Sequence, residues 1–277
     1  MAHSKRGIFI SQQKYITDLL KETRKTACKP VSTPIDSSNK LGCGDEKALV
    51  DKEMYQRLVG ILIYLSHTRL DIAFAVSLVS QFMHNPKEVH LQAVHRILQY
   101  LKGTPGRGIL FKRNGNATLE AYTDADYAGS ITDRRSTTGY CTFLDGNLVT
   151  WRSKKQNVVA RSSAEAEFRA MAQGICELLW LKIILEDLKI KWDGPMKLYC
   201  DTKSAISIAH NPVQHDRTKH IEVDRHFIKE KLDSGLICTP YVPSQGQLAD
   251  IFTKGLSCPF FERMVSKLGM ENTYSPA

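Results

Sequence analysis

The sequence has no paired cysteines and no long apolar segment. Its seven cysteines are scattered over 277 residues and none forms a Cys-x-x-Cys pair, which disfavours both a zinc knuckle and a disulfide framework. No run approaches the roughly 18 apolar residues of a membrane helix, and the N-terminus lacks the apolar stretch of a secretory signal. We therefore expect an intracellular protein, cytoplasmic or nuclear, that is not secreted and has no membrane partner.

Acidic residues are scarce in the first part of the chain. Residues 1–116 carry 18 Lys and Arg against 9 Asp and Glu, whereas residues 117–277 carry 20 of each, so the net surplus of nine lies in the first part. A basic segment joined to an acid-bearing one suits a protein that grips a phosphate backbone with one part and cuts it with another. A basic surface without such a role explains the charge alone equally well.

The first part of the chain shows mainly helical patterns. Apolar residues recur at helical spacing within residues 11–20, 55–65, 71–82 and 90–101. The helical character ends at KGTPGRGILFKRNGN, where glycine and proline break the pattern. We therefore place a domain boundary near residues 114–117, which separates a segment of residues 1–116 from a domain of residues 117–277.

The second part predicts an α/β fold. Three strand patterns come first, at 118–122, 139–144 and 148–151, with Asp145-Gly146 as the turn signal between the last two. Two further strands, 196–200 and 237–242, alternate with helical patterns at 162–188, 202–210, 221–232, 248–253 and 259–268. Three strands followed by alternating helices and strands predict a five-stranded mixed sheet with flanking helices.

Four acidic residues lie at the edges of these predicted elements. They are Asp124, Glu167, Asp201 and Asp250. Carboxylates that are buried beside one another are unfavourable unless a metal or a proton neutralises them. If folding brings the four together, they form a site for hard divalent cations, which is the chemistry of phosphodiester cleavage.

Each of these acids has a structural alternative. Asp126 lies two residues after Asp124 and on the same face of an extended chain, so spacing alone does not separate the two. Asp201 is also placed to cap a helix, and Asp250 to face solvent. The sequence distinguishes Glu167 from its neighbour Glu165 more clearly. Glu165 completes a capping box with Ser162, whereas Glu167 lies on the helix face that should be buried.

Several basic residues and histidines are further candidates. Potential phosphate contacts in nucleic-acid binding are Arg134, Arg135, Lys154, Lys155, Arg217 and Lys219. Four histidines follow one another at 210, 215, 220 and 226, near Asp216 and Asp224. Their intervals fit no common zinc-ligand spacing, so we interpret these histidines as structural or substrate-contacting.

The motifs resemble the ribonuclease H region of copia-type retrotransposon polyproteins. TDADYAGS, SSAEAEFRA, CDTKSAI, HDRTKHIEVDRHFI and QLADIFTK carry this resemblance in order over residues 117–254. GIFISQQKYITDLLK, CKPVSTP, YQRLVGILIYLSHTRLDIAFAVSLVSQFM and ILQYLKGTPGRGI resemble the C-terminal part of the reverse transcriptase of the same elements. Nearly the whole chain is covered.

The resemblance implies a ribonuclease H-like fold, preceded by a segment that is similar to a reverse transcriptase thumb or connection. It implies that Asp124, rather than Asp126, joins Glu167, Asp201 and Asp250 as a catalytic and metal-binding residue. Two Mg²⁺ ions about 4 Å apart, or Mn²⁺ in their place, are the expected cofactors. The expected substrate is the RNA strand of an RNA–DNA hybrid, distinguished from DNA by its 2′-hydroxyls.

The chain departs from the family pattern in two respects. It contains no Tyr-x-Asp-Asp polymerase turn, so we expect no polymerisation from this chain, and its reverse transcriptase palm and fingers would come from another chain. The stretch TPYVPSQGQLAD lacks the histidine that cellular ribonucleases H carry before the last Asp. A non-catalytic, nucleic-acid-binding remnant is the alternative function. An integrase-type nuclease is disfavoured because Glu167 lies between the first two aspartates.

Overall fold

The protein forms two compact units. The computed structural model describes residues 1–37, 41–42, 50–115, 118–192, 194–211 and 221–272. One unit contains Met1–Arg113 together with Lys254–Ala277, and the other contains Asn114–Thr253. The segment after Thr253, which the sequence assigns to the second domain, groups with the first unit instead.

A four-stranded antiparallel sheet accompanies the helices of the first unit. Its strands, in spatial order, are β1 (Ala2–Ser4), β2 (Gly7–Ser11), β3 (Arg107–Lys112) and β9 (Met270–Asn272). The pairing of β9 with β3 explains why the end of the chain belongs to this unit. The predicted helices are confirmed as α1 (Gln13–Glu22), α2 (Lys52–Ser66), α3 (Ala73–Ser80), α4 (Glu88–Gly103) and α8 (Cys258–Lys267).

A buried ion pair lies in the core of the first unit. Arg69 is fully buried and donates two hydrogen bonds to the carboxylate of Asp71, at 2.9 and 2.7 Å. The Tyr100 hydroxyl donates to the same carboxylate at 2.6 Å, and Arg107 donates to that hydroxyl at 2.7 Å. Burial alone would raise the pKa of Asp71, but the charge and hydrogen bonds of Arg69 hold it below its usual value.

Asp71→Asn is expected to destabilise the first unit by about 3 kcal/mol, because it leaves the buried Arg69 guanidinium without its counter-charge. Urea denaturation of the full chain, followed by far-ultraviolet circular dichroism, measures the change. Asp18→Asn is the matched control, since its pair with Lys21 is exposed and should matter little. Equal denaturation midpoints for the two variants would contradict a stabilising role for the pair.

The second unit has the predicted α/β fold. Its five-stranded sheet has the order β6–β5–β4–β7–β8, with ranges β4 (Leu119–Ala125), β5 (Thr137–Leu144), β6 (Asn147–Lys155), β7 (Met196–Tyr199) and β8 (Ile237–Cys238). β4, β5 and β6 pair in antiparallel fashion, whereas β7 runs parallel to β4 and β8 parallel to β7. The mixed sheet and its flanking helices are therefore confirmed.

Three helices accompany this sheet, α5 (Ser163–Asp187), α6 (Lys203–His210) and α7 (Glu222–Asp233). α5 lies unusually close to β4 because Gly174 has no side chain. A Cβ atom at Gly174 would come within 2.4 Å of the Thr123 side chain and 3.0 Å of Leu198. Ala166 and Ala170, near the start of α5, belong to one buried cluster with Ala125 at the end of β4. The predicted helix at 248–253 is a 3₁₀ helix, Leu248–Phe252.

No helix in the described part of the chain is both long enough and apolar enough to span a bilayer.

Candidate metal centre

The parallel pairing of β4 with β7 brings two aspartates to one edge of the sheet. Tyr122 of β4 pairs with Tyr199 of β7. Asp124 and Asp201 each lie two residues beyond this pair, in the same direction along the sheet. Asp124 is buried, and Asp201 is partly exposed and accepts a 2.9 Å hydrogen bond from the Ser244 hydroxyl. The edge of the sheet therefore presents one enclosed carboxylate and one that solvent reaches.

The 3₁₀ helix that carries Asp250 is fixed to β4 by Gln247. The side chain of Gln247 is fully buried. Its amide nitrogen donates to the backbone carbonyl of Thr123 at 2.9 Å, and its amide oxygen accepts from the backbone N–H of Ala249 at 3.1 Å. One side chain thus caps the helix and ties it to the strand residue next to Asp124.

A glycine on β5 lets the 3₁₀ helix lie directly on the sheet. Gly139 pairs with Asp124 across the strands. A Cβ atom at Gly139 would come within 2.7 Å of Thr253 and 2.8 Å of Phe252, so any larger residue would push the helix away. At this contact the Thr253 hydroxyl donates a hydrogen bond to Asp124 Oδ2.

The start of α5 determines which of its glutamates faces the cluster. Ser162 Oγ accepts from the Glu165 backbone N–H at 3.2 Å, and the Glu165 carboxylate accepts from the Arg161 N–H at 2.7 Å. Glu165 also forms a 2.7 Å ion pair with Arg169. Glu165 is therefore occupied in capping the helix, as the sequence predicts. In the capping box that the sequence predicts, the Glu165 carboxylate accepts from the Ser162 N–H; in the structure it accepts from the Arg161 N–H instead.

The structure brings the four predicted acids together. One carboxylate oxygen from each of Asp124, Asp201 and Asp250 lies within 4.8 Å of the other two. An oxygen of Glu167 lies within the same distance of both Asp201 and the Cys200 sulfur. Four elements that are distant in sequence supply these groups, namely β4, α5, the end of β7 and the 3₁₀ helix.

The electrostatics of the cluster favour a bound cation. Burial, together with the negative charges of Asp124 and Asp201, raises the pKa of Glu167 to about 9, although the Ala125 backbone N–H opposes the rise. Glu167 Oε2 is buried without a hydrogen-bond partner. Buried carboxylate oxygens at this spacing are the ligands that hard divalent cations such as Mg²⁺ and Mn²⁺ prefer. The donor set therefore fits such ions.

Asp126, the rival of Asp124, has a structural role in the loop after β4. Its carboxylate accepts a hydrogen bond from the backbone N–H of Thr137. A Cβ atom at Gly129 would come within 1.7 Å of the same carboxylate, so the loop folds tightly over it. Of the two groupings with metal-ligand spacing in the described residues, one contains Asp124 and neither contains Asp126.

The predicted phosphate-binding residues have different surroundings. Arg134 and Lys154 are exposed. Arg135 is also exposed but lies 3.6 Å from Asp133, and Lys155 forms a 2.9 Å ion pair with Asp133. Of these four residues, Lys155 is therefore the least available to contact a phosphate. Arg217 and Lys219 lie outside the described residues.

The histidines show no common site in the described part of the chain. His210 Nε2 forms a 2.8 Å hydrogen bond with the Thr239 hydroxyl. His226 is exposed and lies 3.8 Å from Glu222. His215 and His220 lie outside the described residues. The interpretation of the histidines as structural or substrate-contacting therefore stays a prediction.

Three residues of the site were not identified from the sequence: Thr253, Gln247 and Gly139. Thr253 follows Asp250 by one helical turn, a spacing that could have signalled contact between a hydroxyl and the acid cluster. Gln247 and Gly139 gave no comparable signal, because their roles depend on the contact between β4, β5 and the 3₁₀ helix.

Thr253→Val is expected to weaken divalent-metal binding by roughly 10–100-fold, because the Thr253 hydroxyl orients one carboxylate of the cluster. Thr253→Ser keeps the hydroxyl and should bind as the unchanged protein does. Calorimetric titration with Mn²⁺ measures both affinities. Equal affinities for the Val and Ser variants would show that the hydroxyl does not orient Asp124.

No protein-family model matches the chain. The chain is 45% identical over 264 residues to the retrovirus-related Pol polyprotein from transposon RE1 of Arabidopsis thaliana, and 42% identical over 264 residues to that from transposon RE2 of the same plant. Each match covers 95% of this chain but only 18% of the relative. A solved structure, the ribonuclease H1 LC11 isolated from compost, matches 50% of this chain and 93% of its own, with 13% identity and a TM-score of 0.39.

Proposed function

The chain belongs to the copia-type, retrovirus-related Pol polyproteins of transposons, and we propose that its second unit is a metal-dependent endonuclease that cleaves the RNA strand of RNA–DNA hybrids. One observation carries the proposal. Carboxylates from separate elements converge within 4.8 Å at one sheet edge, and the pKa of the buried Glu167 is raised to about 9 beside them. Such an arrangement is unfavourable in the folded state without a cation to neutralise it. This favours a metal-binding role for the acids over a purely structural one.

Four carboxylates would hold the metal. Asp124, Glu167, Asp201 and Asp250 would bind Mg²⁺ or Mn²⁺. When bound there, a pair of such ions would activate water and stabilise the leaving oxygen. Thr253 orients Asp124, and Gln247 holds the backbone around Asp250 against β4. Asp201 is partly exposed and would be the acid that an approaching scissile phosphate meets first.

Basic residues of the second unit would hold the hybrid. Arg134, Arg135 and Lys154 are exposed and would contact phosphates, and Arg217 and Lys219 are proposed for the same role from their motif. Lys155 would have to leave Asp133 to join them. These contacts are not expected to read base sequence; 2′-hydroxyl contacts would select RNA over DNA.

The first unit is proposed to correspond to the C-terminal part of a reverse transcriptase. Its surplus of basic residues, 18 against 9 acids in residues 1–116, suits a role in gripping nucleic acid. Because this chain contains no Tyr-x-Asp-Asp turn, the polymerase palm and fingers would be supplied from elsewhere, either by another chain or by a longer protein of which this sequence is a part.

A cleavage assay with the full chain tests the function. The substrates are an RNA–DNA hybrid labelled on the RNA strand and, as controls, the same RNA single-stranded and a duplex DNA of the same sequence. We expect cleavage of the hybrid in Mg²⁺ or Mn²⁺, none in EDTA, and none of the controls. Tight binding of the hybrid without cleavage under any of these conditions would refute the nuclease and favour the non-catalytic alternative.

A further inference from the structure

A buried thiol lies beside the carboxylate cluster. Cys200 immediately precedes Asp201 and is fully buried. Its sulfur lies within 4.8 Å of an oxygen of Glu167 and an oxygen of Asp201, and these two oxygens lie within the same distance of each other. The three groups have the spacing of a metal-ligand set that contains one sulfur.

Two further observations show that this set could accept a ligand. Glu167 is 5% exposed, and its Oε2 is buried without a hydrogen-bond partner. The Cys200 sulfur accepts a 3.4 Å hydrogen bond from the Thr202 backbone N–H, but burial and the negative charge of Glu167 raise the pKa of the thiol, so the sulfur would lose its proton only when a cation binds. Asp201 is partly exposed, so solvent reaches one of the three donors.

The cluster therefore offers two overlapping sets of donors. Asp124, Asp201 and Asp250 supply oxygen alone, which suits Mg²⁺ and Mn²⁺. Glu167, Cys200 and Asp201 add a sulfur, and thiolate sulfur selects softer ions such as Zn²⁺ and Cd²⁺. Asp201 belongs to both sets, so an ion in the second set competes with an ion in the first.

We propose that Cys200, Glu167 and Asp201 form a binding site for thiophilic divalent cations, Zn²⁺ or Cd²⁺, whose occupation inhibits the metal-dependent reaction at the same edge of the sheet. Binding breaks the S–H bond of Cys200, forms a sulfur–metal bond and releases the proton to the solvent; no electron is transferred. The inhibitory part rests on the proposed nuclease function, whereas the binding part does not.

Titration of the metal-free full chain with Cd²⁺ tests the binding part. The sulfur–cadmium charge-transfer absorption in the ultraviolet reports the thiolate bond. The variants are Cys200→Ser and, as matched control, Cys176→Ser, whose thiol is exposed on α5 of the same unit. The tight component is the part of this absorption that saturates at low Cd²⁺ concentration. We expect Cys200→Ser to lose it, with Cd²⁺ affinity falling about 10–100-fold, and Cys176→Ser to retain it. A tight component that survives in Cys200→Ser would overturn the proposal.

A second measurement avoids dependence on the folding of a variant. In the unchanged protein, excess Mn²⁺ should reduce the apparent Cd²⁺ affinity, because both ions need Asp201. Absence of competition at saturating Mn²⁺ would overturn the shared site. Far-ultraviolet circular dichroism of Cys200→Ser and Cys200→Ala shows whether either variant is folded and can be included in the comparison.

Inhibition of hybrid cleavage separates this inference from the proposed function. In Mg²⁺, Zn²⁺ should inhibit the unchanged protein at a concentration at least about tenfold lower than it inhibits Cys200→Ser. If the unchanged protein does not cleave but still binds Cd²⁺ through Cys200, the nuclease function fails and the thiophilic site stands. If cleavage occurs and Zn²⁺ inhibits both proteins equally, the nuclease stands and the inhibitory role of Cys200 fails.

Discussion

Asp201→Asn is expected to reduce cleavage of an RNA–DNA hybrid by at least about 10³-fold, the equivalent of about 4 kcal/mol of transition-state stabilisation. The substitution keeps the size of the side chain and replaces a charged oxygen with a neutral amide. Asp201 belongs to both groupings with metal-ligand spacing at this sheet edge, so its loss weakens every arrangement of the donors. Because Asp201 is only partly buried, the fold should tolerate the change.

Hybrid binding should remain close to that of the unchanged protein, because the phosphate contacts lie elsewhere and removing a negative charge does not weaken them. Single-turnover cleavage and fluorescence-anisotropy binding, measured in the same Mg²⁺ buffer, separate the two effects. Asp187→Asn is the control; it removes one negative charge from the exposed end of α5 and should leave both quantities unchanged. Cleavage by Asp201→Asn within a few-fold of the control would refute the metal-binding role.

Glu167→Gln is expected to have opposite effects on activity and stability. Cleavage should fall by about 10³-fold, as for Asp201, because a charged ligand is lost. In EDTA, however, the variant should be more stable than the unchanged protein at pH 8. The side chain of Glu167 is buried beside Asp124, and its ionised form is therefore unfavourable in the folded state without a cation.

The pH dependence follows from the direction of the shift. Folding raises the pKa of Glu167 from its ordinary 4.5 to about 9, so the folded state holds a proton that the unfolded state releases. The corresponding stability is fully present below pH 4.5 and is lost as pH rises toward 9. Glutamine mimics the protonated acid at every pH. The gain from Glu167→Gln should therefore be small at pH 5 and larger at pH 8, by on the order of 4 kcal/mol.

Urea denaturation in EDTA at pH 5 and pH 8 measures this gain. Glu165→Gln, two residues earlier on α5, is the matched control, because Glu165 is ion-paired with Arg169 and its replacement should not stabilise the protein at either pH. Addition of Mg²⁺ should stabilise the unchanged protein more than Glu167→Gln. A gain that is the same at pH 5 and pH 8 would show that Glu167 is not held in an unfavourable ionised state.

The sequence predicted the acid cluster best where local chemistry separated alternatives. On α5, the capping residues Ser162 and Glu165 accounted for one glutamate and left Glu167 on the buried face. No such local signal separated Asp124 from Asp126, because both lie on one face of an extended chain. What distinguishes the two is the loop from Asp126 to Thr137. The hydrogen bond from the Thr137 N–H to the Asp126 carboxylate forms only once β4 and β5 pair.

The rest of the structure depends on contacts between distant segments. The sheet of the first unit joins β2 to β3 and β3 to β9, and such short strands carry little periodic signal of their own. Gln247 is a polar residue in a loop until its amide meets Thr123. The five strands of the second unit were predictable because their apolar runs and the Asp145-Gly146 turn are local features.

The most direct test is a crystal structure of the full chain soaked in Mn²⁺, with anomalous difference maps recorded for the metal. We expect anomalous peaks at the carboxyl ends of β4 and β7, bounded by Asp124, Asp201 and Asp250, and we expect Asp201→Asn crystals to lack them. Maps that show no Mn²⁺ between these side chains, or side chains that turn away from one another, would contradict this expectation.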